Sequence, residues 1–436
     1  MSSGYAFSIT GLLRGLIGIA GLIAIAYLLS TNRKAVSWKV VFGGLLMQAL
    51  LGIGVIFVPA VYTVFEFVGR IFIGILDFTK EGSRFVFGDL VDSSKSGYIF
   101  AFQILPTIIF FSALTSVLYY YGIIQFIVKV FAWVLVKLFK LSGAESLVTS
   151  ANIFIGQIEA PLLVRSYLSG MTASEIFLVM TAGMSTLAGG VLAAYIGFLG
   201  GNDPVQKLLF AKHLIAASVM AAPGAVAISK IIVPQTLPVS AESKIDTSEK
   251  SSNVLDALTK GTSDGLKVAA SIAAILLVFV AFIAFFNVVA AKLGSVTGIN
   301  EAISMSTHGH YTVLSLQYLL GYIFAPVMWM IGVCSQDLLH TGRLLGEKLI
   351  LTEFIGYNSL TNLKNAGVFY EQKSVIMAAY FLSGFANFAS VGIQITGIGL
   401  LAPNKKQQLS QFGFRAMIAG ALASLLSASL IGILQG

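Results

Sequence analysis

The sequence predicts an all-α integral membrane protein, on two observations. The chain of 436 residues is 57% hydrophobic and only 11% charged, whereas a soluble domain carries about 25% charged positions. It cannot cover its own surface with polar groups, so its solvent is lipid. Its apolar runs approach the ~20 residues that cross a hydrocarbon core as a helix: Leu16–Leu29 with its flanks, Val40–Val61, Tyr98–Tyr120, Phe177–Phe198, Ile272–Val289 and Phe414–Leu434. These runs are continuous rather than alternating. Helices, not strands, then satisfy their own backbone in lipid.

The net charge of +8 does not imply nucleic acid, because cytoplasmic loops of membrane proteins are basic. Arg33, Lys34 and Lys39 lie between the first two runs, and Lys405, Lys406 and Arg415 around the start of the last. Neither loop holds an acid, which places both inside and the amino terminus outside. Arg14 before an apolar stretch resembles a signal peptide, but Thr31–Lys34 directly after it reads as the cytoplasmic flank of a retained helix. The single cysteine, Cys334, excludes a disulfide framework and a cysteine-based metal site.

Pro234 to Lys260 collects Ser, Lys, Glu and Asp and reads as a flexible loop joining two halves. A second polar stretch, Gly294–Tyr311, contains His308 and His310 and reads as a solvated loop. Each half holds an interrupted apolar run, at Gly156-Gln157-Ile158-Glu159-Ala160-Pro161 and at Gly332-Val333-Cys334-Ser335-Gln336-Asp337. A polar-speckled apolar helix follows each break, through Met184–Gly190 and Ala386–Gly392, and each half ends in one more apolar span. Corresponding interruptions in two halves point to a transporter built from repeats, with its site at their interface. Pro161 lacks an amide hydrogen and pushes Ala160 out of the helical region. Re-entrant helical hairpins are therefore predicted at about 145–170 and 316–350.

The chain accordingly divides into N-terminal spans and interfacial helices (1–100), a scaffold helix region (101–140), the first hairpin with its following spans (141–235), a polar cytoplasmic loop (236–264), a scaffold helix with a polar loop (265–310), and the second hairpin with the last two spans (311–436).

An acid within a membrane segment costs roughly 2.5–3.5 kcal/mol for Asp. Glu159 and Asp337 stand at the two breaks beside a glutamine each, which favours binding over structural pairing; for Glu353 a binding role and an ion pair with Arg165, Arg343 or Lys348 both stay open. No H-E-x-x-H or P-loop occurs. Gly261-Thr262-Ser263-Asp264-Gly265 fits the G-x-S-x-G elbow but opens an apolar helix instead of following a strand. Ser263 or Asp264 reads as an N-cap. Nothing assembles a nucleophile and base, so the chain does not read as an enzyme, and spacings such as Gly11–Gly15 speak only of close helix packing.

Gly156-Gln157-Ile158-Glu159-Ala160-Pro161-Leu162-Leu163-Val164-Arg165 resembles the concentrative nucleoside transporter family, whose pattern here is G-Q-T-E-A-P-L, an apolar pair and Arg. The likeness extends over nearly the whole chain, through Ser30–Lys34, Phe87-Gly88, Ile104–Leu114, Glu145-Ser146, Met220–Pro223 and Gly384–Asn387. It implies an inverted-repeat transport domain with about eight transmembrane helices, two re-entrant hairpins and interfacial helices, in a homotrimer. It further implies elevator-type import of nucleosides driven by sodium across a bacterial inner membrane. With an even number of spans, both termini fall outside.

By resemblance, Gln157 and Glu159 hold the base, with position 158 beside them and Val191 and Phe385 as apolar walls; Asp337, Asn387 and Ser390 hold the ribose. The sodium ion is held by the side chains of Asn152 and Thr186 and the carbonyls of Ile155 and Leu187. The chemistry suits these roles: a carboxylate accepts from ribose hydroxyls, a glutamine offers donor and acceptor to a base edge, and a hard cation takes oxygens. This sequence departs from the family pattern at Ile158, usually Thr, at Cys334, usually Pro, at Asp337, usually Glu, and at Thr352-Glu353-Phe354, usually N-E-F. Proton-coupled symport and a passive facilitator are the alternatives to sodium coupling.

Overall fold

The structure, a computed structural model, describes residues 9–96, 99–240, 251–307, 309 and 311–435. His308 and His310 lie outside the described residues. Among those described, eight helical stretches are long and apolar enough to cross a membrane, the number that the resemblance implies.

The chain begins with α1 (Ile9–Leu28), α2 (Trp38–Phe57) and α3 (Pro59–Phe87). Pro59 starts α3 and ends the second apolar run at Phe57, short of Val61. Two sets of helices then follow in the same order. The first is α4 (Leu105–Tyr120), α5 (Ile123–Phe139), α6 (Gly143–Ala151), the short α7 (Glu159–Leu162) and α8 (Arg165–Leu168), α9 (Ala173–Ser185), α10 (Gly189–Gly200) and α11 (Pro204–Ile232). The second is α12 (Val254–Val296), α13 (Leu316–Met330), α14 (Leu338–Ile350), α15 (Glu353–Asn365), α16 (Gln372–Leu382), α17 (Phe388–Leu401) and α18 (Lys406–Leu434). Each set runs scaffold helix, connecting helix, hairpin, broken helix, long helix. The closing helices α11 and α18 are both 29 residues long.

Three sequence expectations change. The polar loop does not reach residue 264, because α12 already starts at Val254; its N-cap is Asn253, whose side chain accepts from the Asp256 amide at 2.9 Å. Ser263 and Asp264 are thus inside a helix, and the glycines around them serve packing against α4. A Cβ at Gly261 would lie 2.8 Å from Ala113 Cα, and one at Gly265 2.8 Å from Ile109 Cα. The helices that follow the hairpins are not continuous either. The first breaks over 186–188 and the second over 383–387.

The second hairpin is displaced from 316–350 to 338–365. The polar stretch 331–337 only turns α13 into α14, as 140–142 turn α5 into α6, with Gly332 at φ +101° and Lys140 at φ +53°. The tip is the short link Leu351-Thr352 between α14 and α15, which pack on one another. Thr352 caps α15 by accepting from the Ile355 amide. The composition of 350–354 is mostly apolar, so only Thr352 and Glu353 mark it as a tip. Over 145–170, where the first hairpin is expected, α6 and the short α7 and α8 flank a non-helical connection at 152–158.

The core is formed by α9, α10, α11, α16 and α18, which are almost wholly buried, whereas α12 leaves much of its apolar surface exposed. The two broken helices meet at their breaks. Gly384, at φ +113°, would place a Cβ 2.6 Å from Ser185 O and 2.8 Å from Met184 O, so only glycine permits this approach.

Candidate functional site

The two hairpin tips and the two helix breaks converge on the first turn of α17. Asn387 caps that helix, its Oδ1 accepting from the Ser390 amide at 2.8 Å. This leaves its Nδ2 free to donate to Glu353 Oε2 at 2.8 Å, at the tip of the second hairpin. The other carboxylate oxygen of Glu353 accepts from Tyr195 on α10 at 3.1 Å. Tyr195 in turn stacks on Tyr357 with ring centroids 4.0 Å apart.

One turn further on, Ser390 Oγ accepts from Gln157 Nε2 at 3.1 Å, a bond that reaches the first hairpin. Gln394 completes the row, donating to Gln157 Oε1 at 3.0 Å and to the Met180 carbonyl at 3.1 Å. Positions 387, 390 and 394 share one helix face. Gly183 makes room for this cluster, since a Cβ there would lie 2.6 Å from Gln394 Nε2.

Beside the first hairpin, a cavity of about 320 Å³ opens between it, α4 and α12, lined by Glu159, Val191, Phe111, Lys260 and Asp264 among others. The Glu159 carboxylate folds back over Gly156, where a Cβ would lie 2.9 Å from Glu159 Cδ. Ile158 is exposed and faces Gly397, while Phe385 is half-buried within the second break.

Gln157, Asn387 and Ser390 are therefore brought together, and Glu159 and Val191 share the adjoining cavity. Asp337 is not brought to them. Its carboxylate is fully buried elsewhere, accepting from the amides of Tyr370 at 2.8 Å and Glu371 at 3.1 Å and from the Cys334 thiol. It anchors the 367–371 turn to the start of α14. Glu353 holds the place beside Asn387 that the sequence reading gave to Asp337. It does so without an ion pair to Arg343, which instead binds Glu347 at 2.8 Å. Tyr195 and Gln394 were missed; the helical spacing of Gln394 from Asn387 and Ser390 was the available signal.

The expected cation ligands lie on two neighbouring non-helical segments, 152–158 and 186–188. Asn152 is the C-cap of α6 and donates to the Val148 carbonyl at 3.1 Å; its Oδ1 is buried and finds no hydrogen-bond partner among the described residues. Thr186, in the first break, donates to the Ala182 carbonyl at 2.9 Å, which leaves its oxygen lone pairs to accept. The two segments are tied by a bond from the Gly189 amide to the Phe154 carbonyl at 3.1 Å. An orphaned buried oxygen is costly, and a hard cation would satisfy it, with the carbonyls of Ile155 and Leu187 in the same unwound segments as further oxygens.

Comparison with known proteins gives the family. Residues 213–432 match the family model for the C-terminus of Na+ dependent nucleoside transporters, residues 17–90 that for their N-terminus, and residues 101–202 a nucleoside recognition gate. The chain belongs to the concentrative, sodium-dependent nucleoside transporter family. An uncharacterized transporter of Haemophilus influenzae is 38% identical over 429 residues, 97% of this chain and 98% of that one. Sodium/nucleoside cotransporter 1 of mouse is 38% identical over 96% of this chain, which spans 64% of that longer protein. Among solved structures, CNTnw in an inward-facing substrate-bound state superposes with a TM-score of 0.88 at 36% identity, covering 97% of this chain and 99% of that one. A variant of CNTnw in an outward-facing state gives a TM-score of 0.90 at 35% identity, covering 98% of this chain and 100% of that one. This nucleoside transporter family consists of membrane carriers rather than enzymes.

Proposed function

We propose that the chain imports nucleosides by sodium symport. The observation that carries this reading is the double use of the α17 start, where Asn387 engages the second hairpin through Glu353 and Ser390 engages the first through Gln157. A nucleoside has two unlike ends. Gln157, with Glu159 and the apolar Ile158 and Val191 nearby, suits the edge and face of a base, and Phe385 suits its other face. Glu353 with Asn387 and Ser390 suits ribose hydroxyls, which are donors to a carboxylate. Glu353 takes this role in place of Asp337.

Sodium is the coupling ion in this reading, held by Asn152 and Thr186 with the carbonyls of Ile155 and Leu187. The unsatisfied Asn152 Oδ1 favours a metal cation over a proton, since a carboxamide oxygen is a ligand and not a base. An ion there orders the same connection that carries Gln157 and Glu159, so ion and nucleoside each strengthen the other's binding. The hairpins, broken helices, α11 and α18 form the moving unit of an elevator, and α4 with α12 the scaffold. The protein acts as a homotrimer in a bacterial inner membrane with both termini outside.

The test is uptake in proteoliposomes under independently imposed sodium and proton gradients. Labelled uridine or adenosine accumulates above equilibrium under an inward sodium gradient alone. Accumulation that follows only the proton gradient would falsify sodium coupling, and equilibration without accumulation identifies a passive facilitator.

A further inference from the structure

Lys348 lies in the last turn of α14, beside the second hairpin tip, and its side chain is fully buried. Its ammonium donates to the Phe381 carbonyl at 2.6 Å and to Ser424 Oγ at 3.0 Å. Phe381 belongs to the last turn of α16, just before the break at 383–387. Carbonyls at a helix C-terminus lack intrahelical partners and carry the negative end of the helix dipole. Glu353 opens α15 on the far side of the same two-residue tip, and α15 packs on α14, so the two buried charged side chains flank one link. An ammonium buried this completely is expensive unless acceptors and negative charge offset it; two oxygens and a helix C-terminus hold this one, with the Glu353 carboxylate across the tip.

The first half presents the same layout without a lysine. There α9 ends at Ser185, directly before its break, and the hairpin helix α6 ends at Asn152 with an unsatisfied oxygen. In the first half α9 packs on α6 and the far side of its break is tied to the connection after α6 by the Gly189–Phe154 bond; in the second Lys348 joins the end of α14 to the carbonyl end of α16. One half supplies oxygen ligands at that junction and the other supplies a positive charge.

We propose that Lys348 is a tethered cation: it does in the second half what an exchangeable cation does in the first, capping the carbonyl end of α16 and balancing the Glu353 carboxylate from within the chain. The second half then needs no ion of its own, and one sodium accompanies each nucleoside. This inference rests on the sodium–nucleoside reading above. Lys348 is a positioning residue, acting on the ligand through Glu353.

Nucleoside binding to the full-length protein is measured for wild type, Lys348→Met, Glu353→Gln and the double variant, with Lys348→Arg as the charge-conserving control. Lys348→Met weakens binding at least about tenfold when Glu353 is present and less than about twofold when Glu353→Gln has removed its charge, since two charges that stabilise one another give non-additive losses. Lys348→Arg keeps binding within about threefold of wild type, as a retained charge requires. Sodium-induced thermal stabilisation, recorded without nucleoside, persists in Lys348→Met and shows that the first half remains folded. Should Lys348→Met fail to fold, Lys348→Gln carries the same comparison. Additive losses across the cycle, or equal losses in the Arg and Met variants, overturn the tethered charge and leave the transport reading standing. Uptake that depends on sodium to second order overturns the single exchangeable cation. Uptake indifferent to sodium instead removes sodium from the reading, while the cycle still decides what Lys348 does for Glu353.

Discussion

Gln157 and Ser390, 233 positions apart in the chain, are joined by a hydrogen bond of 3.1 Å. That bond links the tip of one hairpin to the broken helix of the other half. Three residues earlier, Asn387 binds the other tip through Glu353. A ligand at the start of α17 therefore touches both repeats at once. Such an arrangement lets binding lock two elements together, which a carrier needs before it moves them as one body.

Glu353 and Asp337 are separable by experiment. Glu353→Gln removes the charge facing Asn387, and losing charge-assisted bonds of roughly 1.5–3 kcal/mol weakens nucleoside binding about 10- to 100-fold. Free bases, which lack ribose, are bound nearly as before. Asp337→Asn leaves the ratio of nucleoside to base affinity unchanged and lowers thermal stability, because its carboxylate serves the amides of Tyr370 and Glu371. A competition series with uridine and uracil distinguishes the two, and a selective loss of nucleoside binding in Asp337→Asn would return the ribose to Asp337.

The cation site makes a different prediction. Thr186→Ala deletes one oxygen without leaving a buried donor unpaired, since the hydroxyl donates only to the Ala182 carbonyl of its own helix. The fold is retained, and the sodium concentration for half-maximal uptake rises about tenfold, in keeping with the loss of one ligand. Asn152→Ala raises it further. At saturating sodium, nucleoside affinity in Thr186→Ala returns to within about twofold of wild type, because linkage acts through the ion. An unchanged sodium requirement in both variants removes these residues from the site.

Much of this arrangement was legible in the sequence because it rests on strong physical signals. Low charge and long apolar runs give membrane helices, and Pro161 beside Gln157 and Glu159 gives a broken segment. The second hairpin was misplaced because polarity was taken as the mark of a tip. Gly332–Asp337 is polar yet only turns one helix into the next, whereas the tip at Leu351-Thr352 is short, has apolar neighbours, and is signalled by Thr352 capping and the adjacent Glu353 only. The choice between Asp337 and Glu353 depended on tertiary placement: each is a buried acid near a helix start, and only the fold sets one beside backbone amides and the other beside Asn387. The two helix breaks were hidden for a related reason, since Ser185-Thr186 and Ser383-Gly384 read as tolerable within apolar helices until they are seen to cross.

That crossing is testable at Gly384. Its φ of +113° is strained for any residue with a Cβ, by roughly 1–2 kcal/mol, and the added Cβ would also meet Ser185 O at 2.6 Å. Gly201 provides the control, at φ +54° with nothing within 4 Å of its would-be Cβ. Gly384→Ala lowers the unfolding temperature in detergent substantially more than Gly201→Ala does, and it lowers uptake per folded molecule as well. Equal effects would mean that backbone strain alone matters and that the breaks do not pack as tightly as their distances imply.

The buried pair of Lys230 and Glu145 separates stability from transport. Their ion pair measures 2.7 Å with both side chains almost wholly inaccessible, and Lys230 also donates to Ser174 at 3.0 Å. Glu145 meanwhile caps α6 through the Ser142 amide at 2.9 Å. The bonds thus tie the start of the first hairpin to α9 and α11 at a distance along α6 from Asn152. Lys230→Met strands the Glu145 carboxylate in an apolar setting, a loss of about 3–5 kcal/mol, and the unfolding temperature falls accordingly. Adding Glu145→Gln removes the stranded charge while its amide oxygen still accepts from Ser142, so the double variant recovers most of the loss. Sodium and nucleoside affinities of the folded double variant stay near wild type, since neither residue contacts the groups assigned to either ligand. Recovery of stability with a persistent rise in the sodium requirement would instead tie this pair to the ion site through α6.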